Sequence, residues 1–248
     1  MNKFTRRTVI AAACAAAAMT FAPMSFAQQA PEKKDVTIAV GGKSLYYYLP
    51  LSIAEQLGYF KDEGLNVKIV DFQGGSRSLQ AVVGGSADVV SGAFEHTISM
   101  QAKKQPMTAF VLQGRAPQLA LVVSNKTMKD YKQLSDLKGK KVGVTAPGSS
   151  SQMVANFILK KGGLGPKDVA FIGVGSSSGA VSAIRSGQID ALINLDPVIT
   201  ILLKNGDAKL VADTRKVKES ESFFGGTMPA GSTLRFLSLR RIPRQFRL

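Results

Sequence analysis

Cysteine, histidine and grouped acids are nearly missing from this 248-residue chain. It has one cysteine, Cys14, and one histidine, His96. Cys14 falls inside an apolar N-terminal run. The body behind it therefore offers no thiol for a disulfide, a nucleophile or a metal ligand. One histidine and no ligand-spaced carboxylates exclude a metal site of the usual kinds, and no cofactor is expected. Acid is also absent from Ser232 to Leu248, STLRFLSLRRIPRQFRL, a stretch that carries five arginines.

Those gaps explain most of the net charge of +15. Three positive charges sit near the N-terminus and five in the arginine-rich tail, so the body holds 24 basic against 17 acidic residues. Seven excess charges spread over surface lysines attract anions weakly at long range and do not form a basic stripe. Nucleic acid is not an expected partner.

The N-terminus reads as an export leader. Lys3, Arg6 and Arg7 form its positive end, Val9 to Phe21 its apolar run, and Ser25-Phe26-Ala27 a small-residue cleavage site. The run is too short for a membrane span, which needs about 20 strongly apolar residues. Thr5-Arg6-Arg7 partly matches a twin-arginine signal, which leaves both export routes open. A lipoprotein reading of Cys14 fails because the apolar stretch before it is too short. Behind Ala27 the chain is long enough for one large domain or two lobes of about 100 residues each.

Periodicity in the body alternates strand with helix. Val36–Val40 and Val67–Phe72 read as strands, Leu49–Leu57 as a helix stopped at Gly58, and Arg77–Val83 as a helix before a buried strand at Asp88–Val90. The order then recurs. Lys141–Thr145 is a strand, Gln152–Lys161 a helix stopped by Gly162-Gly163, and Val169–Val174 a strand. Ala180–Arg185 is a helix, and Ile189–Ile193 closes the set as a strand. A slide of about 102 positions lays Leu79, Ala81, Val82, Gly85 and Asp88 on Val181, Ala183, Ile184, Gly187 and Asp190. Such alternation predicts mostly parallel sheets covered on both faces, arranged as two α/β lobes around a cleft. The expected division is a leader over 1–27, lobe 1 over 28–114, lobe 2 over 115–215, a return crossing over 216–231 and a basic tail over 232–248. Gly114 to Leu137 reads as the first crossing between lobes.

Three turns set small polar residues at a helix start just after a strand: Gly74-Gly75-Ser76, Gly148-Ser149-Ser150-Ser151 and Gly175-Ser176-Ser177-Ser178. Exposed N–H groups and the helix dipole bind anions there; the plainer reading of each serine is an ordinary cap. Gly175–Gly179 also matches a nucleophile elbow with Ser177 at its centre, but a hydrolase needs a histidine after that serine and His96 precedes it. His96 follows a strand end, where either ligand contact or a structural hydrogen bond suits it. Tyr46-Tyr47-Tyr48 offers at most one aromatic wall to a site. Asp196 is either a site residue or the cap of a helix that Pro197 begins.

LPLSIAEQLGYFKDEGLNVKIVDFQGG, LQAVVGGSADVV, LKGKKVGVTAPGSSS and AIRSGQIDALINLDP together resemble the nitrate, sulfonate and taurine type of ABC-transporter substrate-binding proteins. That group also holds thiamine-precursor-binding domains. The resemblance runs from about Val36 to Met228 and implies a type II periplasmic-binding-protein fold. It also implies a monomer that closes on its ligand by hinge motion, with a membrane permease as partner, working in the periplasm. The implied ligand is a small anionic organic solute or a heterocycle, and the implied role is transport rather than catalysis. An exported enzyme using the same cleft is the alternative. The related thiamine-pathway enzymes use a cysteine-rich motif that the body of this chain lacks. Implied contacts come from Lys43, Tyr46 and Tyr47 after the first strand, from Gly75 and Ser76, and from Phe94, Glu95 and His96. Gln113 joins them from lobe 1, with Ser149, Ser150, Ser151, Asn194 and Asp196 from lobe 2. Members of the family continue past GGTMPAG, whereas the arginine-rich end here does not match them. The expectation is that the segment returning to the first lobe is missing. The alternative is a short basic amphipathic stretch resting on a membrane or partner.

Overall fold

The computed structural model describes residues 31–114 and 117–224, together with the backbone of 235–239. The expected leader and most of the arginine-rich tail lie outside the described residues. The described residues belong to one compact unit that begins at Pro31.

The first lobe starts with strand β1 (Asp35–Val40), whose apolar side chains are almost fully buried. A 3-10 turn over Tyr46–Tyr48 leads into helix α1 (Leu49–Gln56) and the short helix α2 (Tyr59–Asp62). Strand β2 (Asn66–Asp71), helix α3 (Gly75–Val83) and strand β3 (Val89–Ala93) follow. Helix α4 (Glu95–Ala102) and strand β4 (Thr108–Gly114) complete the lobe's first pass. Strand β5 (Ala120–Ser124), every residue of it buried, opens the second lobe. Strand β6 (Lys141–Val144), helix α5 (Ser150–Lys161), strand β7 (Ala170–Gly173), helix α6 (Ser178–Ser186) and strand β8 (Ala191–Asn194) then repeat the first pattern. Helix α7 (Val198–Lys204), strand β9 (Ala208–Asp213) and helix α8 (Val217–Phe224) end the second lobe, and strand β10 spans Arg235–Leu239.

Two five-stranded sheets result, ordered β2-β1-β3-β10-β4 and β7-β6-β8-β5-β9. In each, three parallel strands come from the duplicated unit, flanked by an antiparallel pair. The repeat persists in single bonds. Asp88 accepts from the backbone N–H of Thr37 at 2.9 Å, and Asp190 accepts from that of Lys141 at 2.9 Å. Each aspartate thus staples the start of its lobe's central strand to the neighbouring one.

Two differences from the sequence reading follow from unpaired strand edges. β10 lies between β3 and β4, in the place β5 holds in the other sheet. A segment therefore does return to the first lobe, and the expectation that none would is corrected to that extent. The five-residue segment gives the edges of β3 and β4 the antiparallel partner that their backbone groups need. The stretch Gly114–Leu137 is likewise more than a crossing. Its Leu119–Val123 run buries completely, because β8 needs a partner along its free edge.

The largest apolar cluster runs from β1 through Leu45, Tyr47 and Tyr48 to Leu195 and on into β5, β6 and α5. Two smaller clusters cover the opposite sheet faces, one around Ile184, Ile199 and Leu202, the other around Leu79 and Val82. The largest cluster thus runs without a break through both lobes.

Candidate functional site

Helices start where strands end, so both lobes aim their helix N-termini at the cleft. Gly75 opens α3, His96 lies in the first turn of α4, and Ser150 opens α5. All three line one cavity of about 20 Å³, together with Gly41, Tyr47 and Leu195 among others. That is room for roughly one water-sized group. Lysine and arginine do not line it, so its positive potential comes from the three helix ends.

His96 is the polar group committed to this cavity. It is 5% exposed, and its Nε2 makes no hydrogen bond to another described residue. The nitrogen faces Gly75, where a Cβ would stand only 3.3 Å away. Burial pushes the imidazole down to about 4 from 6.5, with the charge of Lys103 adding to the effect. The ring is neutral at pH 7. Beside it, burial pushes the Glu95 carboxyl up to about 7, against the pull of its own backbone N–H.

The aromatic wall is built by Tyr47 and Tyr48, packed edge to face at 4.7 Å. Tyr48 Oη accepts from the Gly41 N–H at 3.0 Å, which fixes the loop after β1 against the wall. Tyr46 points the other way and is 63% exposed. Its backbone N–H crosses to the Asp196 carbonyl at 3.1 Å. A second, larger chamber of about 230 Å³ adjoins on this side, lined by Tyr46, Tyr47, Gln118, Leu195, Asp196 and Arg215. Arg215 holds Asp196 at 3.0 Å and Asp213 at 2.7 Å.

Of the residues named from the sequence, Tyr47, Gly75, His96 and Ser150 come together at the inner cavity, and Tyr46 and Asp196 at the outer chamber. The others are engaged elsewhere. Lys43 Nζ pairs with Glu55 on α1 at 2.6 Å, while its backbone N–H bonds Asp71. Gln113 Oε1 accepts from Ser91 at 2.6 Å. Asn194 is wholly buried, donating to the Gly175 carbonyl and accepting from the Leu195 N–H. Ser151 bonds Thr145 within its own lobe. Phe94 precedes α4, its carbonyl taking the Thr97 N–H. Ser76 and Ser149 bond each other across the cleft. Asp196 also caps α7, accepting from the N–H and hydroxyl of Thr200.

Sequence reasoning missed Gly41, Leu45, Tyr48, Thr145 and Leu195 as lining residues. For Gly41, Thr145 and Leu195, a position one residue beyond a strand end was the available signal; Leu45 and Tyr48 lie further along the loop after β1. Ser177, the elbow serine, is exposed in the second lobe while His96 is buried in the first. Among the described residues, groups of three metal-ligating side chains are absent and helices long and apolar enough to cross a membrane are absent.

A cleft between two α/β lobes, with loops from both strand ends converging on it, is the architecture of the periplasmic-binding-protein fold. The chain belongs to the NMT1/THI5-like family, whose model matches residues 46–214. A solved structure from Bordetella bronchiseptica RB50 is 59% identical with a TM-score of 0.81, covering 88% of this chain and 66% of that one. The alkanesulfonate-binding protein SsuA of Xanthomonas axonopodis pv. citri, bound to MOPS, shares the fold. It is 23% identical with a TM-score of 0.65 over 86% of this chain and 68% of its own. The 4-amino-5-hydroxymethyl-2-methylpyrimidine phosphate synthase of Schizosaccharomyces pombe is 27% identical over 65% of this chain and 45% of its own length. The chain spans about half the length of the curated synthases it matches.

Proposed function

We propose that this chain is the solute-binding component of an ABC importer. It takes a small organic solute, anionic or heterocyclic, into the inter-lobe cleft in the periplasm and hands it to a membrane permease. One observation carries the reading. His96 is buried, neutral and, among the described residues, unpartnered at Nε2, in a cavity that both lobes line and three helix N-termini face. An unpaired buried nitrogen costs stability and marks a place where a ligand group completes the bond. Its neutrality suits a hydrogen bond rather than an ion pair, and the helix ends supply the attraction for an acceptor-rich group.

Similarity to pyrimidine phosphate synthases favours a second reading, an enzyme working in the same cleft. A melt of the chain with alkanesulfonates, nitrate and 4-amino-5-hydroxymethyl-2-methylpyrimidine separates the two when mass spectrometry follows each ligand. A ligand present at about 100 times its Kd stabilises the fold by about 2.7 kcal/mol. The binding reading expects such a shift with the ligand recovered unchanged. Chemical conversion of the ligand, or of the protein, would establish the enzyme instead.

A further inference from the structure

Helix α3 of the first lobe has an N-terminus without a cap of its own. Its N-cap position is Gly74, at φ 90° and ψ 159°, which has no side chain to offer. A larger residue is excluded twice, by that backbone conformation and because a Cβ would meet Ala146 of the second lobe at 2.7 Å. The close approach of the lobes therefore requires the residue that leaves the helix uncapped.

The cap comes from the other lobe. Ser149 occupies the N-cap position of α5 yet makes no side-chain bond to that helix. Its Oγ instead accepts from the backbone N–H of Ser76, the second residue of α3, at 3.0 Å. An N-cap side chain ordinarily serves the N–H two or three positions on, and Ser76 is that position relative to Gly74. Two further bonds close the contact: Ser76 Oγ donates to the Pro147 carbonyl at 2.8 Å, and Ser149 Oγ lies 3.2 Å from Ser76 Oγ. Ser149 is fully buried by the arrangement.

We propose that Ser149 is a closure latch that caps α3 in trans only when the lobes are shut, so that Ser76 and Ser149 act as positioning residues rather than ligand contacts. The anion-binding N–H that the sequence pattern offered to a ligand is spent on holding the lobes together. The latch sets the closed fraction of the protein, and through it the affinity for every ligand alike. That last step rests on the binding function proposed above; the conformational step does not.

Spin labels report the lobe separation directly. Gln101→Cys and Lys167→Cys, both at exposed positions on different lobes, are introduced into the full chain with Cys14→Ser. Pulsed electron resonance then gives the distance distribution in ligand-free protein. Ser149→Ala is expected to raise the ratio of open to closed protein about fivefold, the worth of one helix cap, and Ser76→Ala to raise it less. Across a ligand panel Ser149→Ala lowers all affinities by a common factor. An unchanged distribution in both variants overturns the latch, as does a loss confined to one ligand with the distances unmoved. Because Ser149 is buried, far-UV circular dichroism checks its variant's fold, and Ser76→Ala decides the matter if that fold is lost. If the panel yields no ligand at all, the binding proposal fails while the distances still judge the latch.

Discussion

Gly75 and His96 meet across the inner cavity so closely that a Cβ on the glycine would stand 3.3 Å from His96 Nε2. The helix that one residue opens and the helix that holds the other thus line a single cavity, the ligand position of the proposed function. Gly75→Ala puts a methyl group where a cavity of about 20 Å³ has room for roughly one water. The expected result is a stable protein with ligand affinity reduced tenfold or more, equivalent to about 1.4 kcal/mol, measured by calorimetric titration.

His96 and Glu95 give opposite pH dependences. Burial lowers His96 from 6.5 to about 4, so its contribution to stability is full above 6.5 and is lost as pH falls through 4. Burial raises Glu95 from 4.5 to about 7, so its contribution is full below 4.5 and is lost as pH rises through 7. Between about 4.5 and 6.5 the two nearly cancel. His96→Gln should leave stability falling with rising pH there, and Glu95→Gln should leave it rising. Each slope approaches one proton, about 1.4 kcal/mol per pH unit. Urea unfolding at several pH values checks both signs.

Arg215 ties Asp213, at 2% exposure, to Asp196. Burial works to raise the Asp213 carboxyl, but the bonds and charge of Arg215 outweigh it and hold the group below its usual 3.8. Arg215→Met leaves that carboxylate unpaired and is expected to cost about 3 kcal/mol at pH 7. A depressed carboxylate contributes above its unfolded value and loses that contribution in acid, so the penalty should shrink below about pH 3.8. Denaturant midpoints for the two proteins at pH 7 and pH 3 measure it.

Lys43 sits on the loop nearest the cleft but spends its ammonium on Glu55, both partly exposed. Lys43→Ala should therefore leave affinity for an anionic ligand within about twofold and cost at most about 1 kcal/mol of stability. A tenfold loss of binding in the same titration would return Lys43 to the site.

The alternation of strand and helix, and the repeat that superposes Asp88 on Asp190, were legible because local periodicity records which face of each element is buried. The same local chemistry marked the helix starts at Gly75 and Ser150. His96 was legible as a residue past a strand end, but its two readings stayed open, since burial and the lack of a partner are properties of surroundings that a linear pattern does not contain. The basic tail misled for a related reason: charge count says nothing about the unpaired edge between β3 and β4 that a five-residue segment can fill.

By itself the sequence determined two α/β lobes, their duplicated order and the family to which they belong, because these depend on spacing along one chain. Only the tertiary structure decided which small polar residues face the cavity and which bond across the cleft. Ser149 and Ser150 are neighbours, the N-cap and the first residue of α5, yet one caps a helix of the opposite lobe while the other lines the cavity. Their difference is one of direction, set by an extended N-cap residue beside the first helical one, and it acquires meaning only once the second lobe has closed against the first.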